Sequence, residues 1–172
     1  MTQREKIIKD DCEMKFLYPR VYLGCGPDYL EGWINVDINK NIKADIYHDL
    51  NVTPYPFADK SIKLIKSKQT LEHLDISIID FFKELERILQ TDGMIILEVP
   101  NAYFWRNRIE YLLGINSGSH ISMFHKKFIH PREIFSALRL LGYRWHVIKT
   151  GLFFLPINLS ESNFKLQIRR LY

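Results

Sequence analysis

The sequence predicts an α/β fold in which a mostly parallel, seven-stranded sheet is covered by helices on both faces. Short apolar runs that end in turn residues alternate with two longer segments whose apolar residues recur at helical spacing. The run 94–97 is continuously apolar, as in strands that are buried on both faces. With 172 residues, 47% of them hydrophobic, the chain can build one sizeable core, which predicts a single domain.

The elements follow one another along the chain. The strands are predicted at 21–23, 33–37, 44–47, 61–67, 94–99, 143–150 and 164–170. One helix is predicted at 76–89 with Asp75 as its N-cap, and a second at 132–141, between Pro131 and Gly142. Residues 2–13 predict a short helix or a frayed arm, and 91–93 a loop before the fifth strand.

Composition excludes several classes of protein. The mix of apolar and charged residues is unlike that of disordered, collagen-like or disulfide-scaffold chains. Two cysteines cannot cross-link a fold of this size, which favours a reducing cytosol. No apolar run approaches the roughly 20 residues of a membrane span, and the charged N-terminus does not resemble a signal peptide. We therefore expect a soluble, cytoplasmic protein.

Charge divides the chain in two. Residues 1–101 carry 13 basic and 17 acidic side chains, whereas residues 102–172 carry 11 basic and 3 acidic ones and four of the six histidines. A basic region attracts anionic partners. A solvated basic surface without a partner has the same composition, so both interpretations stay open.

The loop after the first predicted strand contains Gly24 and Gly26, and Asp37 ends the second strand. Glycines at the end of a parallel strand let the backbone approach a ligand, and a carboxylate there can accept hydrogen bonds from both hydroxyls of a ribose. Tyr29 stands where a dinucleotide-binding motif has its third glycine, and Asp37 follows Gly24 by only 13 residues. The sequence thus disfavours a pyrophosphate bound at a helix N-terminus.

These residues belong to a longer series. Its segments are 21–26 (VYLGCG), 32–37 (GWINVD), 48–50 (HDL), 57–61 (FADKS), 71–74 (LEHL), 93–97 (GMIIL), 99–101 (VPN) and 141–143 (LGY). In this order, over about residues 20–150, they resemble the S-adenosylmethionine-dependent methyltransferases of the Rossmann-like (class I) type. The resemblance implies a three-layer sandwich, S-adenosylmethionine as cofactor and one methyltransferase domain over 1–172.

The resemblance also implies roles for individual residues. The implied cofactor contacts are Gly24 and Gly26 at the methionine portion, Asp37 at the ribose, Asp49 with the Leu50 backbone at the adenine, and Gln69 where cofactor and acceptor meet. Leu23, Cys25 and Ile38 are further implied cofactor contacts. A hydroxyl acceptor also needs a base. His73 is the first candidate and Glu72 the second, because both follow the fourth strand at the ligand-binding edge of the sheet.

The stretch 102–131 lacks clear periodicity, which is typical of a functional loop. We expect it to be an acceptor-binding insertion, with contacts from Tyr103, Trp105, Arg106, His120 and His125. No cysteine or carboxylate joins its histidines in a recognisable ligand pattern, so the sequence predicts no metal site.

The predicted activity is methyl transfer from S-adenosylmethionine to a small-molecule, lipid or glycan acceptor, at oxygen rather than at a base nitrogen. The Asn/Asp-Pro-Pro-Tyr/Phe signature of base amino-group methylation is absent after the fourth strand, where 67–69 reads SKQ. The basic second part favours an anionic acceptor. Two alternatives remain: an RNA-directed methyltransferase, and a non-catalytic scaffold that binds the cofactor. The sequence indicates no oligomeric state.

Overall fold

Seven strands form one sheet in the part of the chain that the structure describes. The structure is a computed structural model, which describes residues 19–100, 109, 112–114, 125–127, 129–142, 145–150 and 163–170. The strands are β1 (Arg20–Leu23), β2 (Ile34–Asp37), β3 (Ile46–Tyr47), β4 (Ile62–Lys68), β5 (Leu89–Pro100), β6 (Trp145–Thr150) and β7 (Asn163–Arg170). The helices are α1 (Ile78–Ile88) and α2 (Pro131–Leu140), and a 3₁₀ turn spans Leu71–His73.

The strand order across the sheet is β3-β2-β1-β4-β5-β7-β6. Strands β1 to β5 pair in parallel, whereas β7 lies antiparallel between β5 and β6. The chain builds outward from β1 to β3 and then returns to add β4 on the other side of β1. Ligands of open α/β sheets bind at such a reversal, beyond the carboxyl ends of the strands. The predicted mostly parallel, seven-stranded α/β fold is confirmed.

One hydrophobic core joins the sheet to both helices. Alternate strand positions point into it, so that Val21, Ile65, Leu97, Leu166 and Ile168 are fully buried. The helical side chains in the same core are Phe81, Phe82, Leu85, Ile88, Ile134, Ala137 and Leu138. Each large apolar side chain buried in this way contributes about 1.5–3 kcal/mol to stability. The strands and helices from which the loops extend are therefore stably packed.

Two predicted boundaries are wrong. The N-cap of α1 is Ser77, whose side chain accepts a hydrogen bond from the Asp80 amide, and not Asp75. The expected loop at 91–93 is part of β5, which begins at Leu89 and shifts register against β4 near Ile62. The predicted arm at 2–13 and most of the stretch 102–131 lie outside the described residues, and the single-domain organisation stays a prediction.

A polar network ties the loop after β3 to α1. Glu84 accepts a hydrogen bond from the Tyr55 amide at 2.6 Å, and Arg87 donates to the carbonyls of Tyr55 and Phe57 at 3.0 and 2.8 Å. Burial opposes ionisation of Glu84, but the hydrogen bonds from Arg87 and the Tyr55 amide lower its pKa overall. The Tyr55 hydroxyl in turn donates to the Leu50 carbonyl at 3.0 Å. The network therefore fixes one wall of the cleft described below.

Among the described residues, no helix combines the length and the hydropathy that crossing a membrane requires.

Candidate functional site

A cleft of about 390 Å³ opens at the carboxyl ends of β1, β2 and β4. Its volume falls within the range of roughly 300–1,000 Å³ that is typical of small-molecule sites. Eight residues predicted from the sequence line it: Gly24, Gly26, Asp37, Ile38, Asp49, Leu50, Gln69 and His73. Five more that the sequence analysis missed also line it: His48, Asn51, Thr70, Leu74 and Lys126.

The loop after β1 is shaped by two glycines with positive φ. Gly24 (φ +67°) lies against Thr70, and a Cβ at Gly24 would come within 2.3 Å of the Thr70 Cγ2 atom. Gly26 (φ +54°) has nothing within 4 Å of its would-be Cβ, so its backbone conformation alone favours glycine. Residues 24–33 contain turns and no helix, in agreement with the short spacing between Gly24 and Asp37. The loop is thus a tight bend that exposes backbone to the cleft.

Asp37 ends β2 directly beside this bend. Its Oδ2 accepts a hydrogen bond from the Gly26 amide at 2.8 Å, and its Oδ1 accepts one from the Asn39 amide at 2.9 Å. An ionised carboxylate has about four lone-pair sites, so about two remain for a ligand, and Asp37 lines the cleft. The 2′- and 3′-hydroxyls of a ribose are a matching pair of donors. The residues present therefore fit the nucleoside of S-adenosylmethionine.

The loop after β3 forms the wall expected to contact the adenine. Asp49 Oδ1 accepts hydrogen bonds from the backbone amide and the side-chain amide of Asn51, both at 2.9 Å. Ile38 extends over the cleft with 61% of its surface exposed. An exposed apolar side chain next to fixed polar groups suits a flat heterocycle.

Two predicted cofactor residues do not line the cleft. Leu23 is fully buried and Cys25 is 2% exposed. Burial, followed by the nearby Asp37 carboxylate, raises the pKa of the Cys25 thiol to about 11. Any contact that these two residues make with a ligand would involve their backbone, and the Cys25 thiol is not an activated nucleophile.

Gln69 has a strained backbone at the place where cofactor and acceptor are expected to meet. It is a non-glycine residue with φ +51°, a region that side chains other than glycine rarely adopt. Its amide donates to the Glu98 carbonyl at 2.8 Å, which anchors it to β5. Its buried side-chain nitrogen has no hydrogen-bond partner among the described residues. Strain and an unused donor in a cleft are typical of a binding residue.

The 3₁₀ turn after β4 carries both candidate bases. Glu72 is only 1% exposed, and neither carboxylate oxygen has a hydrogen-bond partner in the described part of the chain. Burial raises the pKa of Glu72 to about 7, although the nearby dipole of its own backbone amide, which does not reach hydrogen-bond geometry, and the charge of Lys127 lower it. His73 lines the cleft, and its ring packs edge-on against the ring of His125 with centroids 4.9 Å apart. Burial and the neighbouring His73 lower the pKa of His125.

The short segment 125–127 is held across the 3₁₀ turn by its backbone. The amides of Lys126 and Lys127 donate to the Glu72 carbonyl at 2.9 and 3.3 Å. Lys127 Nζ donates to the Ile76 carbonyl at 2.8 Å, and Lys126 pairs with Asp75. The fold thereby brings His125, predicted to contact the acceptor, to the candidate bases. The other four predicted acceptor contacts, Tyr103, Trp105, Arg106 and His120, lie outside the described residues.

Comparison with known proteins agrees with this geometry. Residues 21–97, somewhat less than half of the chain, match the family model of a methyltransferase domain. No curated protein matches the sequence significantly.

Many solved structures share the fold. An S-adenosylmethionine-dependent methyltransferase from Archaeoglobus fulgidus is 17% identical, with 96% of this chain and 94% of that chain covered and a TM-score of 0.66. One from Thermotoga maritima, described as a possible histamine N-methyltransferase, is 18% identical, with 95% and 88% covered and a TM-score of 0.62. A third, from Mesorhizobium loti, is 14% identical, with 88% and 90% covered and a TM-score of 0.58. At these identities the likeness establishes the fold alone.

The matched segment contains β1 to β4, α1 and most of β5, and with them the cleft residues from Gly24 to His73. The chain is thus similar to the methyltransferase domain family over residues 21–97, and it shares its fold with solved S-adenosylmethionine-dependent methyltransferases.

Proposed function

We propose that this enzyme methylates a hydroxyl oxygen of a small-molecule, lipid or glycan acceptor. The observation that supports the acceptor atom is the position of His73, which lines the cofactor cleft beside His125 and follows the buried Glu72 in the chain. A hydroxyl has to lose its proton as it is methylated, so it needs a proton acceptor close to the reacting oxygen.

We assign parts of the cofactor to residues of the cleft on the basis of the contacts described above. Asp37 binds the ribose hydroxyls, Gly24 and Gly26 line the methionine portion, and Asp49 with the Leu50 backbone lies beside the adenine. Support comes from the two free acceptor sites on Asp37 and from the open space at Gly26. Gln69, with its unused side-chain donor, lies between cofactor and acceptor.

When bound, S-adenosylmethionine supplies an electrophilic methyl group on a sulfonium centre. The chain aligns the acceptor oxygen at about 3 Å from that carbon and excludes water. With the cofactor held by Asp37, Gly24 and Gly26, His73 would take up the proton that the hydroxyl loses as it is methylated. Glu72 is the second candidate for the proton.

A methylation assay with radiolabelled cofactor tests this proposal. The acceptor panel contains hydroxyl compounds, amines and generic RNA, because the Thermotoga protein named above is described as a possible N-methyltransferase. With a hydroxyl acceptor, His73→Ala should lower kcat by about 10²–10⁴ and leave cofactor affinity within threefold. Asp92→Asn, at the far end of the sheet, should change neither. Turnover of amines or RNA alone would contradict an oxygen acceptor.

The basic second part of the chain supports two finer proposals. The first is an anionic acceptor: Lys126 lines the cleft, and its attraction for an anion should weaken as ionic strength rises. The second candidate function, RNA methylation, rests on the 11 basic and 3 acidic residues of 102–172. Gel-shift titration with generic RNA at two salt concentrations distinguishes a small anionic acceptor from RNA, because only RNA methylation requires RNA binding that weakens with salt. A cytoplasmic location stays a prediction that rests on the sequence alone.

A further inference from the structure

Three side chains of metal-binding type meet at the acceptor end of the cleft. Glu72 and His73 come from the 3₁₀ turn, and His125 comes from the segment that crosses it. One donor atom from each lies within 4.8 Å of the other two. His73 lines the cleft, so the cluster adjoins the space where an acceptor binds.

The state of Glu72 is an independent observation that points to a ligand. Its carboxylate is 1% exposed, and neither oxygen has a hydrogen-bond partner among the described residues. Leaving such a group without a partner is costly, and buried carboxylates are normally paired, hydrogen-bonded or bound to a metal. Lys127 is a nearby cation, but its ammonium group donates to the Ile76 carbonyl. Within the described part of the chain, the buried carboxylate beside two imidazoles thus has no hydrogen-bond donor, and a bound cation would be a fitting partner.

The ligand types select a class of ion. Two imidazoles and one carboxylate are the protein ligands of many zinc sites and of the iron sites with two histidines and one carboxylate. Magnesium and calcium prefer oxygen ligands alone. Tetrahedral coordination with bonds of about 2.0–2.2 Å separates ligand atoms by roughly 3.3–3.6 Å, so donor atoms that now lie within 4.8 Å of one another would need to close by up to about 1.5 Å. Side-chain rotation can supply that change.

We propose that Glu72, His73 and His125 bind one divalent transition-metal ion, of which Zn²⁺ is the representative, at the acceptor end of the cleft. Three protein ligands leave a coordination position open. Resting here on the proposed function, we assign that position to the acceptor oxygen, which the ion orients. In the ion-bound form His73 and Glu72 are ligands, and the ion takes over their role by lowering the pKa of the bound hydroxyl. The sequence predicts no metal site because the carboxylate and the histidines belong to distant segments.

The binding experiment uses the full chain after treatment with a chelator, without cofactor or acceptor. Calorimetric titration with Zn²⁺ should give one ion per chain with a Kd of micromolar or below, and Co²⁺ should produce the visible absorption bands of an ion with nitrogen and oxygen ligands. Glu72→Gln, which preserves the side-chain volume, and His125→Asn should each weaken Zn²⁺ binding at least tenfold. His48→Asn is the matched control, because His48 lines the same cleft outside the cluster and should leave the Kd unchanged.

Two outcomes would overturn the proposal: no binding of Zn²⁺, Mn²⁺ or Co²⁺ by the wild-type chain, or equal affinity in Glu72→Gln and the wild type. Thermal melting of each variant shows whether it is folded, and Glu72→Gln removes a charge that accepts no hydrogen bond from the described residues. Titration of the same metal-free protein with S-adenosylhomocysteine reports separately on the cofactor site. Absence of a metal site and failure of the proposed function therefore give different results.

Discussion

Replacing Asp37 by alanine tests the assignment of the ribose site. In the structure the two carboxylate oxygens each accept one backbone hydrogen bond, at 2.8 and 2.9 Å, which leaves about two lone-pair sites for ribose hydroxyls. A hydrogen bond to a charged group contributes about 1.5–3 kcal/mol, and the partial exposure of Asp37 favours the lower end. Two such bonds give about 3 kcal/mol, so Asp37→Ala should raise the Kd for S-adenosylhomocysteine about 100-fold.

Isothermal titration calorimetry measures this change directly. Asp28→Ala is the matched control, because it removes the same charge from the neighbouring loop after β1, where Asp28 pairs with Lys68 and does not line the cleft. The control should keep its Kd within about twofold of the wild type. If Asp37→Ala is folded by thermal melting and still binds within threefold of the wild type, the ribose is not bound by this carboxylate, and the assignment is wrong.

Three further predictions concern stability and binding. Gly24→Ala should cost about 3 kcal/mol of unfolding free energy, from its positive φ and the 2.3 Å approach to Thr70 Cγ2. Adding Thr70→Ala should recover only part of the steric cost in urea melts, because the Thr70 Cβ stays 2.9 Å from the added Cβ. Gln69→Gly should relieve strain by about 0.5–1 kcal/mol yet weaken cofactor binding, whereas Lys60→Gly, also at positive φ but outside the cleft lining, should leave binding unchanged. Glu84→Gln should cost about 2 kcal/mol at neutral pH. Because the pKa of Glu84 is lowered in the folded state, that difference should disappear as pH falls through the lowered pKa, which melts at pH 7 and pH 3 would check.

The helix boundary at α1 shows where sequence analysis stops. Asp75 and Ser77 are both good N-cap residues, and nothing local distinguishes them. The fold does, because the Asp75 amide donates to the Asn51 side chain and its carboxylate pairs with Lys126. Both partners are distant in sequence, so the choice depended on contacts that periodicity cannot show.

The start of β5 was mispredicted for a related reason. Residues 91–93 carry turn-forming residue types, which favour a loop. In the structure they continue the strand, and the Asp92 side chain pairs with Lys63 of β4. Pairing with a neighbouring strand outweighs local propensity, since sheet formation depends strongly on context.

The sequence by itself predicted the α/β class and eight of the residues that line the cleft. Gly24, Gly26, Asp37 and Asp49 lie at or just beyond the end of a strand, and parallel strands necessarily bring such positions to one edge. Only the tertiary structure decided that His125 meets Glu72 and His73, about fifty residues earlier in the chain. A turn or a strand end depends on the residues beside it. The proximity of His125 to Glu72 depends instead on backbone hydrogen bonds from segment 125–127 to the 3₁₀ turn. Those bonds form only once the sheet and its helices have packed.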